Sequence, residues 1–247
     1  MQSVRNSWVT CARPNPQASL RLFCFTYAGG GTSFFNSWVA SLPLTVEVCP
    51  IRPPGRESRL RERPYTRIAE MVPPLVEAMT SFLDKPFAFY AHSMGAIVAF
   101  ETARQLRRLG LAQPKALLVS GCRAPQIPDP DPPIHHLPEA EFVAAMSRLN
   151  GTPTAVLENK ELLALLMPLL RGDFEAIETY VYEPEAALEC GITAIGGDND
   201  PKGNEAEITA WQAQTTGPFA QHTLPGDHFF IQDEQFLALL AQQVRQL

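Results

Sequence analysis

Residues Phe87 to Ala96, reading Phe-Ala-Phe-Tyr-Ala-His-Ser-Met-Gly-Ala, constrain this chain more than any other stretch. An aromatic and apolar run reads as a buried strand and stops at one hydroxyl. Helical periodicity follows at once: Ile97, Phe100, Ala103, Leu106 and Leu109 are apolar, while Glu101, Arg104, Gln105, Arg107 and Arg108 are polar. Strand, one-residue apex and helix is the setting that holds a serine out of regular structure as a nucleophile. The chain doubles back so sharply at such an apex that the residues two before and two after it must be small. Here they are Ala91 and Gly95. Glycine is usual at the first position, so Ala91 adds one methyl group in a tight place. The alternative is an ordinary turn in which Ser93 caps the following helix.

A chain of 247 residues with 45% hydrophobic and 19% charged residues builds a sizeable core, as one large α/β domain or two small ones. The net charge of -6 argues against a general nucleic-acid binder. No apolar run approaches the length of a membrane span, and Met1 to Arg5 lack the apolar segment of a signal peptide. Cys11, Cys24, Cys49, Cys122 and Cys190 are odd in number and widely spaced, which reads as reduced, mainly buried thiols in a cytoplasmic protein. Neither Cys-x-x-Cys nor His-x-x-x-His spacing occurs, and His135-His136 stands alone in a Pro-rich stretch, so no metal site is expected.

Leu20 to Tyr27 reads as a buried strand that ends in Ala28-Gly29-Gly30-Gly31. The glycines lack the lysine and hydroxyl of a phosphate loop and the spacing of a dinucleotide fingerprint. Such a loop still offers a backbone N–H to a developing negative charge. A nucleophilic serine needs two such donors, one from the residue after it and one from the loop after an earlier strand. Met94 and, by position, Ala28 fill these roles. A short helix over Ser33–Leu42 and a strand over Thr45–Cys49 lead to an unusually basic loop containing Arg52, Arg56, Arg59, Arg61, Arg63 and Arg67. This is either a solvated surface loop or a docking patch for an anionic partner or a ligand phosphate. A helix from Thr66 to Leu83 precedes the Ser93 strand, and Lys115 to Gly121 reads as the next strand after it. Strands and helices at these spacings imply a mostly parallel sheet covered by helices on both faces.

The alternation breaks at Arg123–Pro138, which carries too much proline for a helix or a central strand. From Glu139 to Tyr182 the period is helical, and these helices interrupt the sheet. Residues 123–189 are therefore expected to form a lid over the strand ends and to line an acyl pocket, the alternative being that they merely extend the core. Residues 1–122 and 190–247 would form the core. Met94, Met146 and Met167 are candidates for adapting to varied chains or for simple core filling. A strand at Ile192–Gly197 runs into Asp198-Asn199-Asp200-Pro201, where an orienting carboxylate belongs. Asp200 is preferred because the preceding residues are needed for the turn, which Asp198 would shape by backbone hydrogen bonds. A helix over Glu205–Gln214 and a strand over Ala220–Leu224 follow. Of five histidines, His228 alone lies in a loop between that last strand and a C-terminal helix at Glu234–Gln246, where a general base must sit. The order Ser93, Asp200, His228 is one of three known for the same geometry. It marks a serine acyl-hydrolase, and the carboxylate nucleophile of a dehalogenase or epoxide hydrolase is absent.

These segments together resemble the type II (external, editing) thioesterases of polyketide and non-ribosomal peptide synthesis, within the α/β-hydrolase superfamily. The resemblance spans essentially the whole chain. It rests on Phe25-Thr26-Tyr27-Ala28-Gly29-Gly30, Pro53-Pro54-Gly55-Arg56, Ala91-His92-Ser93-Met94-Gly95, Gly196-Gly197-Asp198-Asn199-Asp200-Pro201 and Gly226-Asp227-His228-Phe229-Phe230. It implies Ser93 as nucleophile, Asp200 as the acid, His228 as the base and Met94 with Ala28 as the oxyanion pair. It further implies hydrolysis of acyl groups from the phosphopantetheine arm of carrier proteins, so that aberrant or stalled chains are cleared, with no cofactor beyond the arm itself. Arg52, Arg56, Arg59, Arg61 and Arg63 would then meet the acidic carrier surface. Asp227 departs from the glycine often found before the catalytic histidine and would raise the pKa of His228 or face solvent. Ala91 is a mild departure. Alternatives are a carboxylesterase or lipase acting on oxygen esters, a chain-releasing thioesterase, and a non-enzymatic scaffold of the same fold. A start at Met1 with no carrier domain ahead of it favours the discrete form. The oligomeric state stays open, a monomer included, as do the pathway and the acyl length.

Overall fold

A computed structural model describes residues 7–11, 13–148 and 159–247. Among these residues six strands form one sheet: β1 Leu20–Phe25, β2 Val46–Pro50, β3 Phe87–His92, β4 Ala116–Ser120, β5 Gly191–Gly197 and β6 Phe219–Leu224. Their order is β2-β1-β3-β4-β5-β6, and every pairing is parallel. A parallel sheet covered on both faces needs strands that are apolar throughout, and every residue of β1, β2, β3 and β4 is buried. Alternate side chains serve the two layers. On one face Phe23, Phe25, Phe87 and Phe89 meet α2 (Ile68–Met79) and α3 (Met94–Arg108). On the other, Leu22, Cys24, Ala88 and Tyr90 meet Trp38 of the single-turn α1 (Trp38–Ser41) and Phe236 and Leu240 of the C-terminal helix (Glu234–Arg245).

The elements lie where the periodicity puts them. Helix ends tighten into 3₁₀ turns, as at Thr80–Phe82 after α2 and at Ala210–Gln214 after the short helix Glu205–Thr209. Between β4 and β5 the chain leaves the sheet and supplies α4 (Glu139–Ser147) and α5 (Lys160–Glu178). Part of the helical stretch expected over Glu139–Tyr182 lies outside the described residues, as do Met1 to Arg5. Phe142, Met146, Leu163, Leu170 and Phe174 form a separate apolar cluster, with Ala28 packed against it. The insertion is not detached from the core. Ala176 of α5 belongs to the main hydrophobic cluster, and the Tyr180 hydroxyl donates to Glu101 of α3 at 2.8 Å. A central parallel sheet with flanking helices and a helical insertion after the fourth strand is the α/β-hydrolase fold. Among the described residues no helix is long and apolar enough to cross a membrane.

Candidate active site

Ser93 stands at the tip of β3 with φ 55° and ψ −127°, a conformation that side chains other than glycine rarely adopt. Its N–H donates to Ser120 O at 2.9 Å, so the strand pairing runs through the apex. The hydroxyl makes no capping bond to α3, which removes the reading of Ser93 as a simple helix cap. The turn explains Gly95: a Cβ there would fall 2.7 Å from Thr26 O and 2.8 Å from Phe25 O. Ala91 sits inside β3, fully buried between Phe25 of β1 and Val119 of β4, and its methyl group is accommodated.

The Ser93 hydroxyl faces His228, whose Nε2 lies 3.0 Å from Oγ. Nδ1 of the same ring lies 2.9 and 3.0 Å from the two carboxylate oxygens of Asp200. Two acceptors at Nδ1 assign its proton there and leave the Nε2 lone pair toward the hydroxyl. His228 and Asp200 are both buried. Asp200 Oδ1 also accepts the N–H of Lys202 at 2.8 Å, which holds the carboxylate in place. Asp198 is exposed and accepts from Asn199 Nδ2 and Gly226 N, so it shapes the turn while Asp200 meets the imidazole. Asp227 accepts the N–H of Phe229 at 2.8 Å and thereby braces the loop that carries His228. His222 lies on β6 beside Gln243.

His92 is fully buried, with its ring centroid 4.9 Å from that of His228. Its Nδ1 pairs with Ser120 Oγ at 2.9 Å, and Tyr90 OH reaches the same oxygen at 2.8 Å. Burial, reinforced by the neighbouring His228, holds the pKa of His92 well below 6.5, so this ring stays neutral. The base therefore rests on an uncharged imidazole.

Ala28 follows β1 in a turn closed by Gly30 N to Tyr27 O at 2.8 Å. The turn is surrounded by polar groups from distant segments. Arg56 Nη1 donates to Thr26 Oγ1 at 2.8 Å and to Gly30 O at 3.0 Å. Its Nη2 lies 2.8 Å from each oxygen of Asp173 on α5, and Asp173 Oδ2 accepts the N–H of Gly29 at 2.7 Å. An activated hydroxyl beside a tethered imidazole, with a glycine turn across the sheet, is equipped for acyl transfer.

The chemistry narrows further by kinship, since a family model described as "Thioesterase domain" matches residues 20–245. The chain belongs to the thioesterase family. It is 44% identical to the linear gramicidin dehydrogenase LgrE of Brevibacillus parabrevis over 94% of this chain and 90% of that protein. It is 41% identical to the gramicidin S biosynthesis protein GrsT of Aneurinibacillus migulanus, over 97% and 94%. Among solved structures, the type II thioesterase BorB from the borrelidin biosynthetic cluster superposes with a TM-score of 0.87 at 36% identity, covering 95% of this chain and 96% of that one. The relationship is thus with the type II thioesterases, and the site is that of a serine hydrolase.

The basic loop of this thioesterase differs from the expected docking patch. Arg56 is 2% exposed and Arg59 7% exposed, so neither is available to a partner at the surface. Arg56 is consumed by Asp173 and the glycine turn. Arg59 bonds Glu62 and Arg52 O and lies over the Trp8 ring. Arg52 is half-buried, with its Nε on Ser7 O. Only Arg61 and Arg63 of the five are exposed. Of the methionines, Met94 fills the main core, whereas Met146 and Met167 belong to the cluster of the insertion. Sequence reasoning missed Asp173 and Ser120. The signal for Asp173 was a lone carboxylate on the stripe Leu163, Leu170, Phe174 and Ile177, where a helix face is otherwise apolar.

Proposed function

We propose that this thioesterase hydrolyses acyl groups from the phosphopantetheine arm of carrier-protein domains and so clears aberrant or stalled chains from a cytoplasmic polyketide or peptide synthase. The observation that carries the reading is the unbroken path from Ser93 Oγ through His228 to Asp200. Ser93 Oγ attacks the thioester carbonyl while His228 Nε2 takes its proton. Asp200 stabilises the imidazolium and keeps the tautomer. The N–H groups of Met94 and Ala28 receive the oxyanion, a donor pair of which each member is worth roughly 3 kcal/mol in a transition state. Collapse expels the arm's sulfur, which takes the proton from His228 and departs as the thiol. Water then attacks the Ser93 ester with His228 again as base, and the carboxylic acid leaves.

The described parts of residues 123–189, α4 and α5 among them, act in this reading as a cover under which the arm enters, and the cluster around Phe142, Met146 and Leu170 offers the acyl chain an apolar wall next to Ala28. Of the five docking candidates, Arg61 and Arg63 are left exposed to meet an acidic carrier, while the exposed Arg67 of the same loop pairs with Glu175. The test is a carrier protein loaded in turn with acetyl, propionyl, butyryl and a longer chain. Release of free acid by the wild type and none by Ser93→Ala is expected. Oxygen-ester turnover well above thioester turnover would replace the reading with that of a carboxylesterase.

A further inference from the structure

We infer that the buried Arg56–Asp173 pair is a positioning device that aims the Ala28 N–H at the oxyanion, so that the inserted helix α5 completes the catalytic geometry. The inference rests on Ala28 serving as an oxyanion donor, as proposed above. A trans peptide is flat, so its C=O and N–H point in opposite directions. Tyr27 O is taken by Gly30 N, which turns the N–H of the same peptide, that of Ala28, away from the turn's interior. That plane can rotate only if its neighbours rotate with it. The N–H of Gly29 is held by Asp173 Oδ2, and the C=O of Gly30 by Arg56 Nη1. Arg56 also reaches Thr26 Oγ1 on the other side of Ala28. These last three bonds bracket the Ala28 peptide from both sides, and all three converge on a single ion pair. Its two members come from the basic loop and from α5.

Two further observations show how tightly the pair and α5 engage the turn. The pair carries a desolvation cost: among the described residues Arg56 Nε is buried without a hydrogen-bond partner, and burial pushes the Asp173 carboxyl up against the pull of Arg56 and the Gly29 N–H. Apolar replacement of the pair would remove that cost but leave Gly29 N–H, Gly30 O and Thr26 Oγ1 without these partners. The approach of α5 is also close. Gly29 has φ +74°, and a Cβ there would lie 2.5 Å from Leu170 Cδ2, one turn before Asp173 on the same helix face.

The experiment compares wild type with Arg56→Met/Asp173→Leu and with Arg56→Lys, which keeps the charge but puts one nitrogen where Arg56 divides Thr26, Gly30 and Asp173 between two. The probes are a propionyl N-acetylcysteamine thioester and an alkylboronic acid, which forms a tetrahedral adduct on Ser93. The double variant strands Gly29 N–H, Gly30 O and Thr26 Oγ1, so it is expected to melt below the wild-type temperature while KM stays within about twofold. Its kcat and its boronate affinity should fall together by roughly 10²-fold, the scale of one lost oxyanion donor. The lysine variant should lose about tenfold in both, and it decides the matter if the double variant does not fold. Wild-type kcat and boronate affinity in a folded variant would overturn the inference, as would a change confined to KM. Ser93→Ala, run beside them, isolates the underlying reading: if it still turned over, the site assignment and not the clamp would have failed.

Discussion

The two sides of the site are built in different ways. On one side, Ser93, Asp200 and His228 stand directly beyond β3, β5 and β6, and each is placed by its own strand end and turn. On the other, the Ala28 turn follows β1 but is held by Arg56 and by Asp173, the latter 144 residues from Gly29 in the chain. The first side is set by sheet geometry and local backbone. The second depends on packing of an insertion against the sheet. The contrast teaches that the Ala28 turn can be disturbed without moving the strand ends that carry Ser93, Asp200 and His228.

The largest effect that sharpens this contrast is on the strand-end side. Ser93→Ala should lower kcat by on the order of 10⁴-fold or more with little change in melting temperature, as read by thioester turnover and thermal unfolding. Asp200→Asn should cost on the order of 10³- to 10⁴-fold, because an amide at Nδ1 permits the wrong tautomer; a variant whose pH–rate profile matched wild type would break the assignment. Gly95→Ala strikes the junction of the two sides, since its new methyl group would press on Thr26 O and Phe25 O. A loss of roughly 1–3 kcal/mol in urea unfolding is expected there. Arg61→Glu/Arg63→Glu should raise KM several-fold for a carrier-linked substrate and leave the N-acetylcysteamine thioester unaffected. Equal losses on both would discard the docking role.

The smallest effect concerns the neutral ring beneath the base. His92 has its pKa depressed in the folded state, so below pH 6.5 the unfolded chain binds a proton that the folded chain does not. Its contribution to stability is present above pH 6.5 and lost as the pH falls. His92→Gln should therefore flatten the acid limb of the stability curve by up to about 1.4 kcal/mol per pH unit, measured by urea unfolding between pH 5 and 7.

What is legible in the sequence follows the same division. Strands buried on both faces announce themselves as continuous apolar runs, and each member of the Ser93 relay lies within a few residues of one. Asp200 separates from Asp198 because a turn needs residues of its own. Arginine, by contrast, looks the same in sequence whether solvated or buried. Arg56 and Arg59 group with Arg61 and Arg63 there because their partners, Asp173 and the Trp8 ring, are brought to them only by the tertiary fold. Asp173 stands out only as an anomaly on an apolar helix face, with nothing nearby in the chain to say what it holds. Asp227 carries two readings in sequence, and the backbone bond it makes to Phe229 is neither of them.

The lateral pairing of the sheet continues past the strands themselves: Ser93 N meets Ser120 O, Gly121 N meets Ile195 O, and Asp198 N meets Leu224 O. Peptide-to-peptide rungs thus act as a ruler laid across the rim, and neighbouring strands in any sheet sit about 4.8 Å apart. The spacing of the relay is inherited from that ruler, whatever the excursion spliced between Ser120 and Gly191. The parts of that excursion away from Asp173 can change in length or shape while the distances that matter to proton transfer stay calibrated.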